Sequence, residues 1–461
     1  MVTRRVSASA IDFTALRAEL HLPSAFPPAA QAEAVASAAS PHLPDLDRTD
    51  VEFVTIDPPT SRDLDQAVCL RRTPSGYQVL YAIADVLAAV PPGGALQAET
   101  WKRGQTVYLP DGNVPLHPVE LSEGAASLLP DQVRAAVLWT IDLDSSGAPT
   151  GCHVERARVR SRAKLDYGGV QRDVERGQTH PSIALLPEIG TMLVQRGLAR
   201  GAINLPLPEQ ELEQAEKGYR LVLRAPQPVE EWNAQISLLT GCCAAELMLR
   251  GGTGLLRTMP PPSVEALERL RQAAVALAID WPGDRSVGQV IAGLDPADPR
   301  AAAFIDHTAE TLRGAGYTAF DGAAPELAVH GAVAASYAHV TAPLRRLADR
   351  YATEAALCAY EGRPVTDFVR AALPKLPEVM SDTGRVAGAA ERGSIDLAEA
   401  VLLQGRVGEV FDAAALDESS IALDEPPVRA RCAGDLRPGT RLRARLTDAD
   451  PVKRHVKFEV V

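Results

Sequence analysis

The sequence predicts an α+β, multidomain chain: a short helical segment first, then a long body mixing sheet and helix, then a small all-β domain. Three observations lead there. Apolar or alternating runs bounded by Gly, Pro and Asp dominate residues 51–161, helical periodicity dominates 187–404, and after Gly405 the texture returns to short alternating strands. With 461 residues there is length for two or three domains and a sizeable core. The expected divisions are 1–48, 49–403 and 404–461.

In chain order, residues 11–20 set Phe13, Leu16 and Leu20 at helical spacing, with Asp12 as cap and Pro23 as terminator. Residues 27–39 form a second, alanine-dominated helix. The pair admits a helix-turn-helix reading, although such hairpins more commonly serve packing. Strands are expected at 51–56, 67–71, 77–83, 135–143 and 154–161. Helices are expected at 187–202, 229–248, 263–278, 301–315 and 343–360, the last with Pro343 in its first turn and Thr341 as cap, and 374–404 reads as a helical connector. Turns at Asp424-Glu425-Pro426 and Pro438-Gly439 and a closing run at 456–461 fit a five-stranded OB-type barrel. Its Arg429, Arg431, Arg437, Arg441, Arg443, Arg445, Lys453 and Arg454 favour contact with a nucleic-acid strand, against the alternative of a structural cap.

Composition narrows the function classes. Lys and Arg number 47 against 59 Asp and Glu, a formal net charge of −12, which argues against a protein that coats duplexes. A locally basic channel is compatible with that balance, because phosphate contacts depend on the local field. The six cysteines form no C-x-x-C pair, so neither a zinc site nor a disulfide framework is indicated. No signal peptide and no run of 18 apolar residues occurs, so a cytoplasmic protein without membrane contact is expected, acting as a monomer and without a nucleotide cofactor.

The chemistry concentrates in residues 53–68, where a β-branched run breaks at Pro58-Pro59 and sets carboxylates at Asp57, Asp63 and Asp65 beside the carboxamide of Gln66. Like charges a few ångströms apart raise one another's pKa, so such a cluster calls for a cation or for open water. Hard oxygen donors suit Mg2+, with Mn2+ as a substitute. The glycine and glutamate of a calcium-binding EF-hand loop are missing, and a solvated acidic loop is the bland alternative.

Far downstream stands Tyr337-Ala338-His339-Val340-Thr341-Ala342-Pro343-Leu344-Arg345-Arg346. Together the two stretches resemble the paired motifs of the ribonuclease II/ribonuclease R family of exoribonucleases, whose catalytic unit is the RNB domain. Residues 81–86, Val107-Tyr108-Leu109-Pro110 and 161–167 resemble further landmarks of that family. The resemblance implies an RNB-type fold of helices around a sheet, enclosing a tunnel for one strand of RNA. It also implies Mg2+-dependent hydrolysis from the 3′ end to nucleoside 5′-monophosphates. Asp57, Asp63, Asp65 and Gln66 are then the metal-site residues, Gln66 standing where the family usually has a fourth aspartate. Asp65 is the residue whose loss removes turnover but not RNA binding. Arg345 serves the scissile phosphate, and the RNA-binding set is Tyr108, Tyr167, Tyr337, Thr341, Arg345 and Arg346. His339 reads as a structural histidine. In the bland reading the arginines of this region pair with Asp349 and Glu354.

Three departures accompany the resemblance. Ser237 and Leu238 stand where the family presents glutamates to the terminal nucleotide, and Leu205 stands where an aromatic ring stacks on its base. The family's leading cold-shock barrels have no room ahead of residue 49. A catalytically weakened or inactive RNA-binding protein of the same fold is therefore the second reading.

Overall fold

Strands whose two faces are both apolar must be covered on both sides, and this governs the architecture. The computed structural model describes residues 4–8, 11–206, 209–214 and 218–461. The chain opens with β1 (Arg4–Ala8), α1 (Thr14–Glu19) and α2 (Pro28–Ala39). There follow β2 (Phe53–Ile56), β3 (Gln66–Thr73), β4 (Gly76–Ala84), α3 (Val86–Ala89), α4 (Ala95–Arg103), β5 (Val133–Asp144) and β6 (Pro149–Leu165). Strands β2-β3-β4-β5-β6 form a closed barrel. Its neighbours run antiparallel except at the closure, where β2 meets β6 in parallel with Ile56 opposite Leu165.

Period-two alternation splits the barrel side chains between two cores. Val68, Leu70, Val79, Tyr81, Val137 and Trp139 enter one, and Ala67, Cys69, Leu80, Ala82, Ala136 and Leu138 enter the other, which Ala30 and Ala34 of α2 share. Helices α5 (Tyr167–Arg176) and α6 (Leu186–Arg200) precede a hairpin of β7 (Glu209–Gln214) and β8 (Tyr219–Arg224). Helix α7 (Pro228–Gly251) lies against α6; it starts with proline at its first position and Glu230 accepting from the Gln227 N–H at 3.0 Å, and ends at Gly252 with φ 74°.

Next come β9 (Thr253–Thr258), α8 (Val264–Ala276), α9 (Val287–Ile291), α10 (Pro299–Thr311) and β10 (Gly316–Asp321), the last paired antiparallel with β9. Helices α11 (Leu347–Tyr360), α12 (Asp367–Ala372) and α13 (Leu376–Leu403) close the body. The C-terminal strands β11 (Val410–Ala415), β12 (Ser420–Leu423), β13 (Arg429–Ala433), β14 (Arg441–Asp450) and β15 (His455–Val460) form a second closed barrel, the expected OB type, in the order β11-β12-β13-β15-β14.

Structure and sequence differ in particular places. The expected helix over 343–360 begins only at Leu347, with Arg346 rather than Thr341 at its N-cap, because the side chains of Gln66, Asp349 and Asp65 take backbone groups of Thr341, Ala342 and Leu344. The N-terminal segment also holds a strand: β1 pairs with β8, making a three-stranded sheet β1-β8-β7 that the polar sequence of β7 does not announce. Helix α1 packs on α13 and buries Phe13 and Leu16, so it serves as a packing element.

The C-terminal barrel is tied to the body through Glu399 of α13, which accepts from Gln210 Nε2 at 2.7 Å and from the Arg429 N–H at 3.1 Å. Burial pushes this carboxyl from 4.5 up to about 7 against those two donors, with Asp396 raising it further and the Arg429 charge lowering it. The folded chain thus holds a proton that the unfolded chain has lost. Its stabilising contribution is complete below about pH 4.5 and disappears as pH rises through about 7. Thermal unfolding between pH 5 and 8, on the order of the titration window, is expected to be less pH-dependent in Glu399→Gln than in the wild type.

Candidate active site

The acidic loop leaves the barrel where β2 ends. The Asp57 N–H still reaches the Leu165 carbonyl at 3.1 Å, after which Pro58-Pro59 turns the chain away. Lys164 of β6 then holds the loop from beneath, donating Nζ to the Pro59 and Ser61 carbonyls at 2.7 and 2.5 Å. Ser127 holds its far side, donating to the Arg62 carbonyl at 2.6 Å and accepting from the Leu64 N–H at 2.9 Å. Leu64 is fully buried, and this anchors the aspartates on either side of it.

The downstream stretch meets this loop directly. Asp65 accepts the Leu344 N–H on Oδ1 at 2.8 Å and Arg345 Nε on Oδ2 at 3.3 Å, across 280 residues of chain. Gln66 donates Nε2 to the Thr341 carbonyl at 2.5 Å, which leaves its Oε1 as the atom for the ligand role expected of it. Asp349 completes the clamp by accepting the Ala342 N–H at 2.7 Å. Only 3% of Asp65 is exposed, whereas 42% of the Arg345 side chain is, so the guanidinium faces outward from a buried carboxylate.

Electrostatics match this geometry. Burial pushes Asp65 up to about 7, against the pull of Arg345 and of the Leu344 N–H. Burial and then the charge of Asp63 push Asp57 up to about 6, against Lys164 and Arg345. Two buried carboxylates held this far above the usual carboxylate range, despite the cationic groups beside them, offer hard oxygen ligands that suit a divalent cation. The expected set is nevertheless not assembled: Asp63 accepts the Tyr108 hydroxyl at 3.1 Å, and among the described residues no three His, Cys, Asp or Glu side chains are gathered for a metal. By donor chemistry these carboxylates fit such an ion, while among the described residues they are not drawn into one set.

The aromatic candidates divide. Tyr108 is half-exposed beside Asp63, and Tyr167 opens α5 with its hydroxyl accepting from Asn233 Nδ2 at 3.4 Å. Tyr337 and Thr341, expected to touch RNA, are instead buried. The Tyr337 ring packs edge-on to His330 and His339 and lies over Gly241 of α7, where it leaves no room for a Cβ. Gly241→Ala is therefore expected to destabilise the fold by about 1–3 kcal/mol through overpacking, read as a lower Tm. Arg346 is likewise committed: its Nε and Nη2 bind Asp349 at 3.0 and 2.9 Å, the pairing foreseen in the bland reading.

His339 accepts or shares the Tyr317 hydroxyl proton at Nδ1, 2.7 Å away, and burial holds its pKa well below the ordinary value, as suits a structural histidine. Ser237, at the place of the absent glutamates, pairs its hydroxyl with that of Tyr81 at 2.8 Å, and Leu205 packs against an apolar cluster with Ile203. Sequence reasoning passed over Ser127 and His117 and gave Lys164 no role of its own. Lys164 lies inside a stretch already singled out, whereas Ser127 and His117 carry no spacing signal. Among the described residues no helix is long and apolar enough to cross a membrane.

Comparison with known proteins agrees with this architecture. Residues 46–356 match the RNB domain, and residues 409–461 match the RNase II-type exonuclease C-terminal S1 domain. Ribonuclease R of Escherichia coli (strain K12) is 28% identical over 327 residues, 66% of this chain and 39% of that protein, so the chain spans well under two thirds of that relative. Mycoplasma genitalium RNase R, solved with ribose-methylated single-stranded RNA, superposes with a TM-score of 0.86 at 20% identity, covering 97% of this chain and 77% of that one. Yeast Ssd1, described as a pseudonuclease, superposes with a TM-score of 0.67 at 17% identity, covering 89% of this chain and 52% of that one. With its RNB match covering most of the body and an S1 match covering the second barrel, the chain belongs to the RNB-domain family of RNase II-type exonucleases.

Proposed function

We propose that this chain hydrolyses single-stranded RNA from its 3′ end, one nucleotide at a time, releasing nucleoside 5′-monophosphates with Mg2+ as cofactor. The observation that carries the reading is the meeting of Asp65 with Arg345 and the Leu344 N–H, since nothing in a solvated acidic loop calls for that pairing. The RNA held by the Mycoplasma relative supports RNA as the substrate class.

Asp57, Asp63, Asp65 and the Gln66 oxygen would hold the ion. Bound there, it supplies a water of lowered pKa and neutralises charge on the phosphoryl oxygens. Arg345 keeps its Nε on Asp65 and turns its remaining N–H groups toward the scissile phosphate, a planar fork that lysine cannot reproduce. Asp65, gripped on both oxygens, holds that fork still. Tyr108 and Tyr167 offer ring faces to bases without reading their identity, worth about 1–3 kcal/mol each.

The test is purified chain on 5′-labelled poly(A) with Mg2+. Progressive shortening from the 3′ end supports the reading; substrate left intact, or cut internally in the first events, removes it. A second reading, an RNA binder without turnover, draws on the commitment of Gln66 to Thr341 and on the pseudonuclease neighbour. It expects poly(A) to be bound and never shortened.

A further inference from the structure

His117 lies in the segment between α4 and β5, and only 1% of it is exposed. Burying an imidazole carries a desolvation cost that an aliphatic side chain in the same place would not incur. The polar contact that offsets it is specific: Nδ1 lies 3.0 Å from the Leu344 carbonyl oxygen, while Nε2 meets no partner among the described residues. A carbonyl only accepts, so Nδ1 carries the hydrogen. Burial, which pushes the imidazole down to about 4, keeps the ring neutral in that tautomer. Ser122 fixes the backbone from which the ring projects, donating Oγ to the His117 carbonyl at 3.2 Å.

The residue His117 holds is the one that meets Asp65. The Leu344 carbonyl belongs to the peptide joining Leu344 to Arg345, and its N–H, on the other side of the same Cα, goes to Asp65 Oδ1 at 2.8 Å. Rotation of the Leu344–Arg345 peptide would swing the start of the Arg345 side chain and draw its Nε from Asp65. The Arg345 carbonyl is in turn held by the Thr106 N–H at 2.9 Å, so the peptides on both sides of Arg345 are tied to the segment that carries His117.

We propose that His117 is a positioning residue: its Nδ1–H fixes the Leu344–Arg345 peptide and thereby the orientation of the Arg345 guanidinium against Asp65. The role rests on the hydrolytic reading above. Asparagine places an amide N–H where Nδ1 stands, glutamine places one where Nε2 stands, and leucine fills the volume with neither.

The experiment measures kcat and KM on 5′-labelled poly(A) with Mg2+, the Tm, and deuterium uptake over residues 341–347 for His117→Leu, His117→Asn and His117→Gln. His117→Leu is expected to lower kcat by about 10- to 100-fold with KM within about twofold, as for loss of geometry alone. Its 341–347 segment is expected to exchange faster, and His117→Asn, not His117→Gln, is expected to restore both. A leucine variant with wild-type kcat and exchange, or asparagine and glutamine variants that behave alike, overturns the positioning role. If the leucine variant does not fold, the ranking of asparagine over glutamine decides. Wild-type chain that leaves poly(A) intact removes the hydrolytic reading instead, and the exchange data still test the His117 contact.

Discussion

Asp65→Asn is expected to bind poly(A) as the wild type does and to shorten it at least about a thousandfold more slowly. The substitution is isosteric, and the Asn Oδ1 still accepts the Leu344 N–H, so the loop keeps its anchor. What disappears is the charge and the acceptor that face Arg345 Nε, since an amide NH2 there sets donor against donor. A hard anionic oxygen is lost from the acidic loop as well. Gel-shift affinity and single-turnover decay on the same RNA check this in parallel. Unaltered decay would show that Asp65 does not have the role assigned to it.

Arg345→Lys is expected to cost about 10²- to 10³-fold in kcat/KM, despite keeping the positive charge. Lysine has no equivalent of the Nε that now pairs with Asp65 while leaving the two terminal nitrogens free for a phosphate. Arg346→Lys is the control, because Arg346 is spent on Asp349 and its loss bears on loop stability. Equal effects of the two substitutions on kcat/KM at unchanged Tm would refute the division of labour drawn here.

Much of this arrangement could be read from residue pattern. The barrel strands were legible because strands buried on both faces leave apolar runs bounded by Gly, Pro and Asp, and the OB-type domain because turn residues punctuate it. The β1-β8-β7 sheet was not, because β7 reads Glu-Gln-Glu-Leu-Glu-Gln, a text with too little apolar signal to announce a strand. The start of α11 was misplaced for a different reason. Pro343 and Thr341 look like helix-starting residues, but Asp65, Gln66 and Asp349 outcompete the helix for the backbone of 341–344.

At the site, motif resemblance found the residues that meet, Asp65 and Arg345, and could not separate residues that face the cleft from those that support it. Tyr337 and Thr341 belong to the second group. His117 was invisible for a related reason: a side chain bonded to a carbonyl 227 positions away leaves no trace in local spacing.

The separation of the two motifs along the chain also bears on synthesis. A ribosome delivers the acidic loop first and the opposing guanidinium 280 residues later, and the loop's own floor, Lys164, arrives in between. Until residues 344 and 345 have been made, Asp65 lacks both of the partners that orient it, so the pairing assembles only after most of the body has emerged.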